Sequence, residues 1–115
     1  MDNITEKRHT GCFLIAEANG TLSREDIVVA SGEGVLEAGT VLGKVTASGK
    51  YAAYDNAASD GTQAAAGILY AGLDATSADA RGAMIARHAE VIGADLTGLD
   101  APGTADLSAL GIIVR

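Results

Sequence analysis

Apolar and polar side chains alternate most regularly across residues 40–47. One face of this segment is polar except for Leu42, and the opposite face is apolar and either small or branched. A period of two residues is typical of a strand with one face in a core. We therefore predict a half-buried strand across residues 40–47, a turn at residues 47–50 and a short strand at residues 51–54.

Four further segments have the composition of strands. A glycine, Gly67, interrupts one of them, which indicates a bulge or a close approach of two backbones. The last segment is continuously apolar, as in a strand that is buried on both faces. Turn signals stand at Asn19-Gly20 and Asp60-Gly61. The predicted strands are residues 11–17, 26–31, 64–73 and 111–115.

Two segments carry a helical spacing. Across residues 83–92 the apolar side chains fit a helical face and also a strand face that contains one arginine, and periodicity alone favours the helix. Residues 104–111 give a better short helix, because Thr104 is a candidate N-cap, two leucines lie one turn apart, and Gly111 is a candidate for its end.

The composition limits the core that these elements can build. Apolar residues make up 48% of the 115-residue chain, but many are alanine, with one Phe and no Trp. The length predicts one domain. Small aliphatic side chains each bury little area, and a small domain buries a smaller share of its surface than a large one. Both facts favour an oligomer or a docking surface over a self-sufficient monomer.

The net charge is −7, which disfavours binding to nucleic acid because that binding depends on Lys and Arg beside phosphates. The eight basic residues are scattered without a run. No stretch reaches the ~18 apolar residues of a membrane helix. Acidic residues precede the short apolar run at residues 12–16, unlike in a signal peptide. We expect a protein made and kept in a cytoplasm, without a membrane partner.

Residues with reactive side chains are few and scattered. A single cysteine, Cys12, excludes an internal disulfide, and its apolar neighbours predict a small buried hydrophobe. His9 and His88 with Cys12 match no recognised zinc spacing, and no glycine-rich phosphate motif is present. The fifteen carboxylates show no marked pair. We therefore expect no catalytic, cofactor-binding or metal-binding residues, no small-molecule substrate, and a protein that is not an enzyme.

The first ten residues are mostly polar, carry a single large aliphatic side chain, Ile4, and cannot form a core alone. They are either a frayed terminus or an arm that becomes ordered on a partner. Addition as a strand to the edge of a neighbouring sheet would suit Ile4 and Thr5. We therefore divide the chain into an arm, residues 1–10, and a single β-rich domain, residues 11–115.

The densest cluster of charge covers residues 23–26. Arg24 is a candidate to pair with Glu25 or Asp26, and such a pair on a solvated loop stabilises a protein little. The alternative is an interface anchor, since Arg is enriched at interfaces. Arg24 and Glu25 are therefore the candidate interface residues.

A glycine-punctuated segment, "GEGVLEAGTVLGKV" at residues 32–45, raises one alternative. It resembles the half-barrel pattern of lipoyl and biotinyl carrier domains, which carry a modified lysine at a hairpin tip. That resemblance would make Lys44 or Lys50 the modified residue. Neither lysine stands in the Asp-Lys or Met-Lys-Met context of those domains.

Five phrases, in this order along the chain, resemble the head decoration proteins of tailed phages, the family of the lambda head protein D. The resemblance makes residues 83–92 a strand, against the periodicity. The chain is abbreviated across residues 95–106, so the resemblance does not fix the length of the last helix. The phrases are "SRE" at 23–25, "LEAGTVLGKVT" at 36–46, "DGTQAAAGIL" at 60–69, "MIARHAEV" at 84–91 and the terminal "LGIIVR".

This resemblance implies a compact, mainly β fold of the β-clip kind with short helices. It implies a homotrimer on the outer surface of an expanded icosahedral capsid, at three-fold and quasi-three-fold positions, assembled in the host cytoplasm. The partner would be the major capsid protein, whose neighbouring subunits the trimer would cement against the pressure of packaged DNA. A tail or fibre subunit of a phage is the nearest alternative. The capsid-binding arm would consist of Asp2, Asn3, Ile4, Thr5, Glu6, Lys7 and Arg8.

Overall fold

The computed structural model describes residues 10–17 and 22–115 of the chain. Strands dominate these ranges, which confirms the prediction of a mainly β fold with little helix. The strands are β1 (Leu14–Glu17), β2 (Arg24–Val29), β3 (Gly34–Leu36), β4 (Val41–Lys44), β5 (Tyr51–Ala53), β6 (Ala65–Leu69), β7 (Leu73–Ala75), β8 (Ala80–Ile85), β9 (Ala89–Val91) and β10 (Ile112–Val114), with a 3₁₀ helix at Gly93–Asp95 and an α-helix, α1, at Ala101–Ala109.

Five of the strands close into a barrel in the order β2, β5, β4, β6, β8. β8 pairs with β2 along six positions, whereas β5 joins β2 at a single parallel position, Val29 with Tyr51. A separate three-stranded sheet has β9 at its centre, with β1 antiparallel on one side and β10 parallel on the other. β3 and β7 form a small antiparallel pair.

Two clusters of buried side chains explain why these strands pack together. β4, β6 and β8 belong to both clusters, because successive side chains of a strand point to opposite faces. The helix-side cluster lies between the barrel, α1 and the three-stranded sheet, and includes Phe13, Val41, Ile68, Ile85, Val91, Leu107 and Ile112. The barrel cluster fills the barrel and consists of Ile27, Val29, Leu42, Leu69, Ala75, Met84 and Ala86.

This arrangement corrects the prediction for residues 40–47. The strand ends at Lys44 and is buried on both faces at its start, since Val41 faces the helix-side cluster and Leu42 faces the barrel cluster. Leu42, which breaks the alternation in the sequence, is fully buried. The predicted turn and the short strand at residues 51–53 are both present.

Residues 83–92 form strands, as the family resemblance implies, and the helix that periodicity favours is wrong. Met84 packs in the barrel cluster and its neighbour Ile85 packs in the helix-side cluster. Because these two adjacent side chains are both buried, the apolar positions of the segment do not alternate, and their spacing resembles that of a helical face. The strand breaks between β8 and β9 at His88, whose φ of 52° lies in the left-handed region that residues other than glycine seldom adopt.

The close approach predicted at Gly67 is confirmed. A Cβ atom there would lie 2.6 Å from the carbonyl oxygen of Ile85 and 2.6 Å from the sulfur of Met84. The register between β4 and β6 also shifts next to this residue, between Leu42 and Gly43. Glycine at position 67 therefore lets β6 lie directly against β8.

The helix begins earlier than predicted. Its N-cap is Asp100 rather than Thr104, and the Asp100 carboxylate accepts a hydrogen bond of 2.7 Å from the Gly103 amide. Pro102, which lacks an amide hydrogen, fits the first turn because amides there have no helical partner. The helix is tied to β6 by a hydrogen bond of 3.0 Å from the Ala65 amide to the Asp106 carboxylate.

The last strand, β10, is only half-buried, which corrects the prediction that both faces are covered. Ile112 is fully buried in the helix-side cluster, whereas Ile113 is 49% exposed. β10 pairs with β9 on one side and α1 packs against it. The continuous apolar run therefore leaves an apolar side chain on the surface.

Candidate functional site

The predicted arm residues, Asp2 to Arg8, lie outside the described residues, as does the Asn19-Gly20 turn. The described chain starts at Thr10 and turns at once through residues 11–13 into β1. Phe13, in that turn, is fully buried in the helix-side cluster. Whatever precedes Thr10 is therefore joined to a part of the fold that the core holds firmly.

Arg24, one of the two candidate interface residues, is the first residue of β2. Its guanidinium binds the Glu17 carboxylate through two hydrogen bonds, 2.6 Å from Nη2 to Oε1 and 3.1 Å from Nε to Oε2. The prediction that it pairs with Glu25 or Asp26 is wrong. Adjacent side chains of a strand point to opposite faces, which separates Arg24 from Glu25, and the carboxylate that pairs with Arg24 is that of Glu17 at the end of β1.

Tyr70 completes the surroundings of Arg24. Its ring centre lies 4.1 Å from the guanidinium carbon, and its hydroxyl oxygen accepts a hydrogen bond of 3.0 Å from Nη2. Stacking on an aromatic face combined with a two-point contact to a carboxylate is a geometry that Arg provides and Lys does not. The Glu17 hydrogen bond is the largest of the effects that raise the pKa of Arg24, so the side chain stays charged.

Gly11 is bound to the same tyrosine. Its amide donates a hydrogen bond of 2.8 Å to the Tyr70 carbonyl oxygen. Its φ of 65° is left-handed, and a Cβ atom at this position would lie 3.0 Å from Cε1 of the Tyr70 ring. Both the conformation and the contact favour glycine. We call Gly11, Glu17, Arg24 and Tyr70 the anchor cluster.

Glu25, the other candidate, is not brought together with Arg24 into one site. Its carboxylate lies 3.3 Å from Nη2 of Arg87, whose Nη1 donates to the Leu22 carbonyl oxygen at 2.7 Å. Glu25 lines an open cleft of about 1080 Å³ beside the single-position junction of β2 and β5. Arg24 and Glu25 therefore lie in different parts of the surface, although they are adjacent in the sequence.

The lysines of the carrier-domain alternative lie on the rim of that cleft. Lys44 ends β4, and Lys50 comes directly before β5. The Lys50 ammonium lies 2.6 Å from a carboxylate oxygen of Asp79. This ion pair lowers the pKa of Asp79, with help from the Ser31 amide.

Apolar side chains are exposed on the three-stranded sheet. Ile15 stands at the irregularity in β1, and Ala16, Glu90 and Ile113 form one row across the sheet. A shallow depression of about 420 Å³ lies beside this row and includes His88 in its wall. In this row the Glu90 carboxylate, which is paired with Arg115, stands between Ala16 and Ile113.

In residues 10–17 and 22–115, no three His, Cys, Asp or Glu side chains lie close enough to hold a metal ion. Cys12 is half-buried, so the side chain is less covered than the small buried hydrophobe that the sequence predicts. No helix in the same part of the chain is long and apolar enough to cross a membrane.

Sequence reasoning singled out Arg24 but missed Glu17, Tyr70 and Gly11. No spacing rule connects these residues, because three separate elements bring them together. The sequence placed Gly11 inside the predicted strand at residues 11–17, so no local signal marked it.

The fold is that of a compact, mainly β protein with a five-stranded barrel. The family model of the bacteriophage lambda head decoration protein D matches residues 3–112, and the chain belongs to this family. The family resemblance drawn from the sequence is thereby confirmed. The protein is a structural component of a phage virion with a role in decorating the capsid. No curated protein matches the chain at a significant level.

Proposed function

We propose that the protein binds as a homotrimer to the outer surface of the expanded capsid, at three-fold and quasi-three-fold positions. There it cements neighbouring major capsid subunits against the pressure of packaged DNA. The observation that carries this proposal is the family match, which begins at residue 3 and so includes most of the arm. Assembly takes place in the host cytoplasm.

Residues 2–8 are the capsid-binding arm in this proposal. Ile4 and its neighbours add a strand to a sheet edge of the major capsid protein, where backbone hydrogen bonds supply the contact. The exposed side chains of Ile15 and Ile113 on the three-stranded sheet support this placement, since β1 belongs to that sheet and follows the arm after a short turn. Arm and sheet then meet the capsid on one side of the molecule.

A clamp of this kind needs binding free energy spread over several subunits and no turnover. Each arm loses conformational entropy when it becomes ordered, so a single arm binds weakly. Once one arm of a trimer is bound, the other two bind within the same complex at a high effective concentration. Three weak contacts together then give slow release.

Deletion of residues 1–8 tests the role of the arm. We expect the truncated protein to keep its fold and its oligomeric state but to lose binding to expanded, undecorated capsids. Circular dichroism checks the fold, and co-sedimentation with capsids measures the binding. A truncated protein that still decorates expanded capsids would contradict the arm assignment. Electron microscopy that places the intact protein on tails or fibres would contradict the capsid location.

A further inference from the structure

One edge of β2 is left largely without a partner strand. β2 pairs with β8 along six positions, whereas in the described part of the chain its other side meets β5 only where Val29 lies beside Tyr51. The Ala30 amide donates to the Tyr51 carbonyl oxygen at 2.9 Å on this other side. In an antiparallel ladder the hydrogen-bonding groups of alternate residues face opposite edges. The amides of Asp26 and Val28 therefore face away from β8 as well, and we call this stretch, residues 26–28, the open edge.

The open edge lies in the cleft of about 1080 Å³. Asp26, Ile27 and Val28 line the cleft together with residues 48–50 of the turn between β4 and β5. Within residues 10–17 and 22–115, no group accepts a hydrogen bond from the amides of Asp26 and Val28. The cleft thus offers strand backbone to which an extended segment of another chain can bond.

The neighbouring edge of β5, in contrast, is covered. The Ala53 amide faces away from β4, and it donates a hydrogen bond of 2.8 Å to the Glu33 carboxylate. Proteins commonly block strand edges in this way, because a free edge promotes pairing with other chains. An open edge on β2 next to a blocked edge on β5 therefore points to a specific partner for β2.

The partner strand has to come from a different protein. Each of the strands β1 to β10 already pairs within a sheet of its own chain. The described residues of a second copy therefore hold no free strand that could be added. The protein that this chain binds in the proposed function is the major capsid protein, which makes a capsid subunit the donor.

The charges of the cleft indicate the chemistry of that segment. Two carboxylates of the lining are already held by cations. For the other charged side chains of the lining, Lys44, Arg81 and Asp26, the described residues provide no ion-pair partner. Two cations against one carboxylate favour a segment that carries an acidic side chain.

We propose that the open edge of β2 is a contact with the capsid in addition to the arm, at which an extended, acidic segment of the major capsid protein adds as a strand. This inference rests on the proposed function, since it assumes that the chain binds the capsid. Backbone groups of the segment accept hydrogen bonds from the amides of Asp26 and Val28. Its acidic side chain lies beside Lys44 and Arg81.

Val28→Pro tests the backbone contact. Proline removes the amide hydrogen that faces the cleft, leaves the ladder with β8 in place and is tolerated at strand edges. Val28→Thr is the matched control, because it keeps both the amide hydrogen and a branched side chain. Co-sedimentation measures the affinity for expanded, undecorated capsids. We expect Val28→Pro to lose about tenfold in affinity and Val28→Thr to bind as the unaltered chain does.

A variant that carries both Lys44→Gln and Arg81→Gln tests the charge contact and requires no change in the backbone. Both side chains are exposed, so the fold should be kept. We expect a loss of roughly two- to fivefold in capsid affinity, as for an exposed ion pair. The control carries Ala105→Glu and Ser108→Glu on the exposed face of α1, which lowers the net charge by the same amount. This control should bind as the unaltered chain does.

Thermal unfolding and sedimentation equilibrium of the same proteins distinguish the outcomes. A folded Val28→Pro variant that binds capsids as tightly as Val28→Thr would overturn the inference. If Val28→Pro does not fold, the glutamine variant decides, and an affinity equal to that of its control would overturn the inference. A lower oligomer mass in Val28→Pro than in Val28→Thr would assign the open edge to a second copy instead of the capsid. Failure of the unaltered chain to bind capsids would overturn the proposed function itself.

Discussion

Tyr54 and Asp100 connect the end of β5 to the start of α1. The Tyr54 hydroxyl donates a hydrogen bond of 2.7 Å to Oδ1 of Asp100, and the same oxygen accepts from the Gly103 amide. One carboxylate thus caps the helix and orients the buried tyrosine. Burial, followed by the hydrogen bond to Asp100 and its negative charge, raises the pKa of Tyr54 to about 12.

This shift predicts a loss of stability in strong alkali. Because the folded-state pKa exceeds the unfolded value of 10.0, the neutral phenol favours the folded state below pH 10. That contribution disappears as the pH rises from about 10 to about 12. Tyr54→Phe should flatten this part of the curve of unfolding free energy against pH.

Denaturant unfolding at pH values from about 9 to about 12, spaced about one pH unit apart, measures the effect. The tyrosinate absorbance of the two proteins gives an independent check. We expect the absorbance titration of Tyr54→Phe to lack the ionisation at the highest pH. Equal steepness of the two stability curves in this range would show that Tyr54 is not the group responsible.

Single residues also show what a sequence can reveal about the site. Arg24 stands out because it is an arginine within a dense charge cluster, and it does occupy a distinctive position. Its partners could not be inferred, since Glu17 and Tyr70 reach it only after β1, β2 and β6 have packed. Local charge suggested the neighbours Glu25 and Asp26, and strand geometry points Glu25 to Arg87 instead.

At the scale of elements, the strands β4, β6 and β8 each separate the two buried clusters. Turn residues and β-branched composition predicted where most strands lie. They did not predict that both faces of β4 would be covered, because an alternation of apolar and polar residues indicates burial of one strand face only. The same two-sided burial explains why Met84 and Ile85 suggested a helix. The alternation of apolar and polar residues therefore predicts a strand least well where the strand is buried on both faces.

Gly67 gives a prediction for the contact of β6 with β8. In Gly67→Ala the new methyl group would meet the Ile85 backbone oxygen at 2.6 Å, and a backbone atom cannot move aside as a side-chain end can. We expect the free energy of unfolding to fall by about 1–3 kcal/mol, the usual cost of overpacking. Denaturant unfolding of the two proteins measures the difference.

Gly72→Ala is the matched control. Its added methyl group would lie 3.3 Å from its nearest neighbour, the Leu36 carbonyl oxygen, so a small adjustment accommodates it. We expect this variant to lose clearly less stability than Gly67→Ala. If the two substitutions cost the same, the close approach of β6 and β8 does not determine the choice of glycine.

At the scale of the whole molecule, the composition and the fold lead to the same expectation. The buried side chains are mostly Ala, Val, Ile and Leu, divided between two clusters rather than gathered in one. Leu22 and Val35 are each 62% exposed, in addition to Ile15 and Ile113 on the three-stranded sheet. A chain that leaves large aliphatic side chains outside while its cores are thin gains stability by association.

Together with the homotrimer proposed above, this predicts that the protein associates into trimers without any capsid. Sedimentation equilibrium of the full chain should give about three times its 11.5 kDa mass, and the truncation of residues 1–8 should also be trimeric.

Each chain carries a net charge of −7, so repulsion between like charges opposes association, and salt at 0.1 M screens this repulsion beyond about 10 Å. Lowering the salt should shift the equilibrium toward monomer, and raising it should tighten the trimer, since apolar contacts are not weakened by screening. A monomer at micromolar concentration in 0.1 M salt would contradict the trimer, and dissociation by high salt would show that ion pairs rather than apolar contacts hold it together.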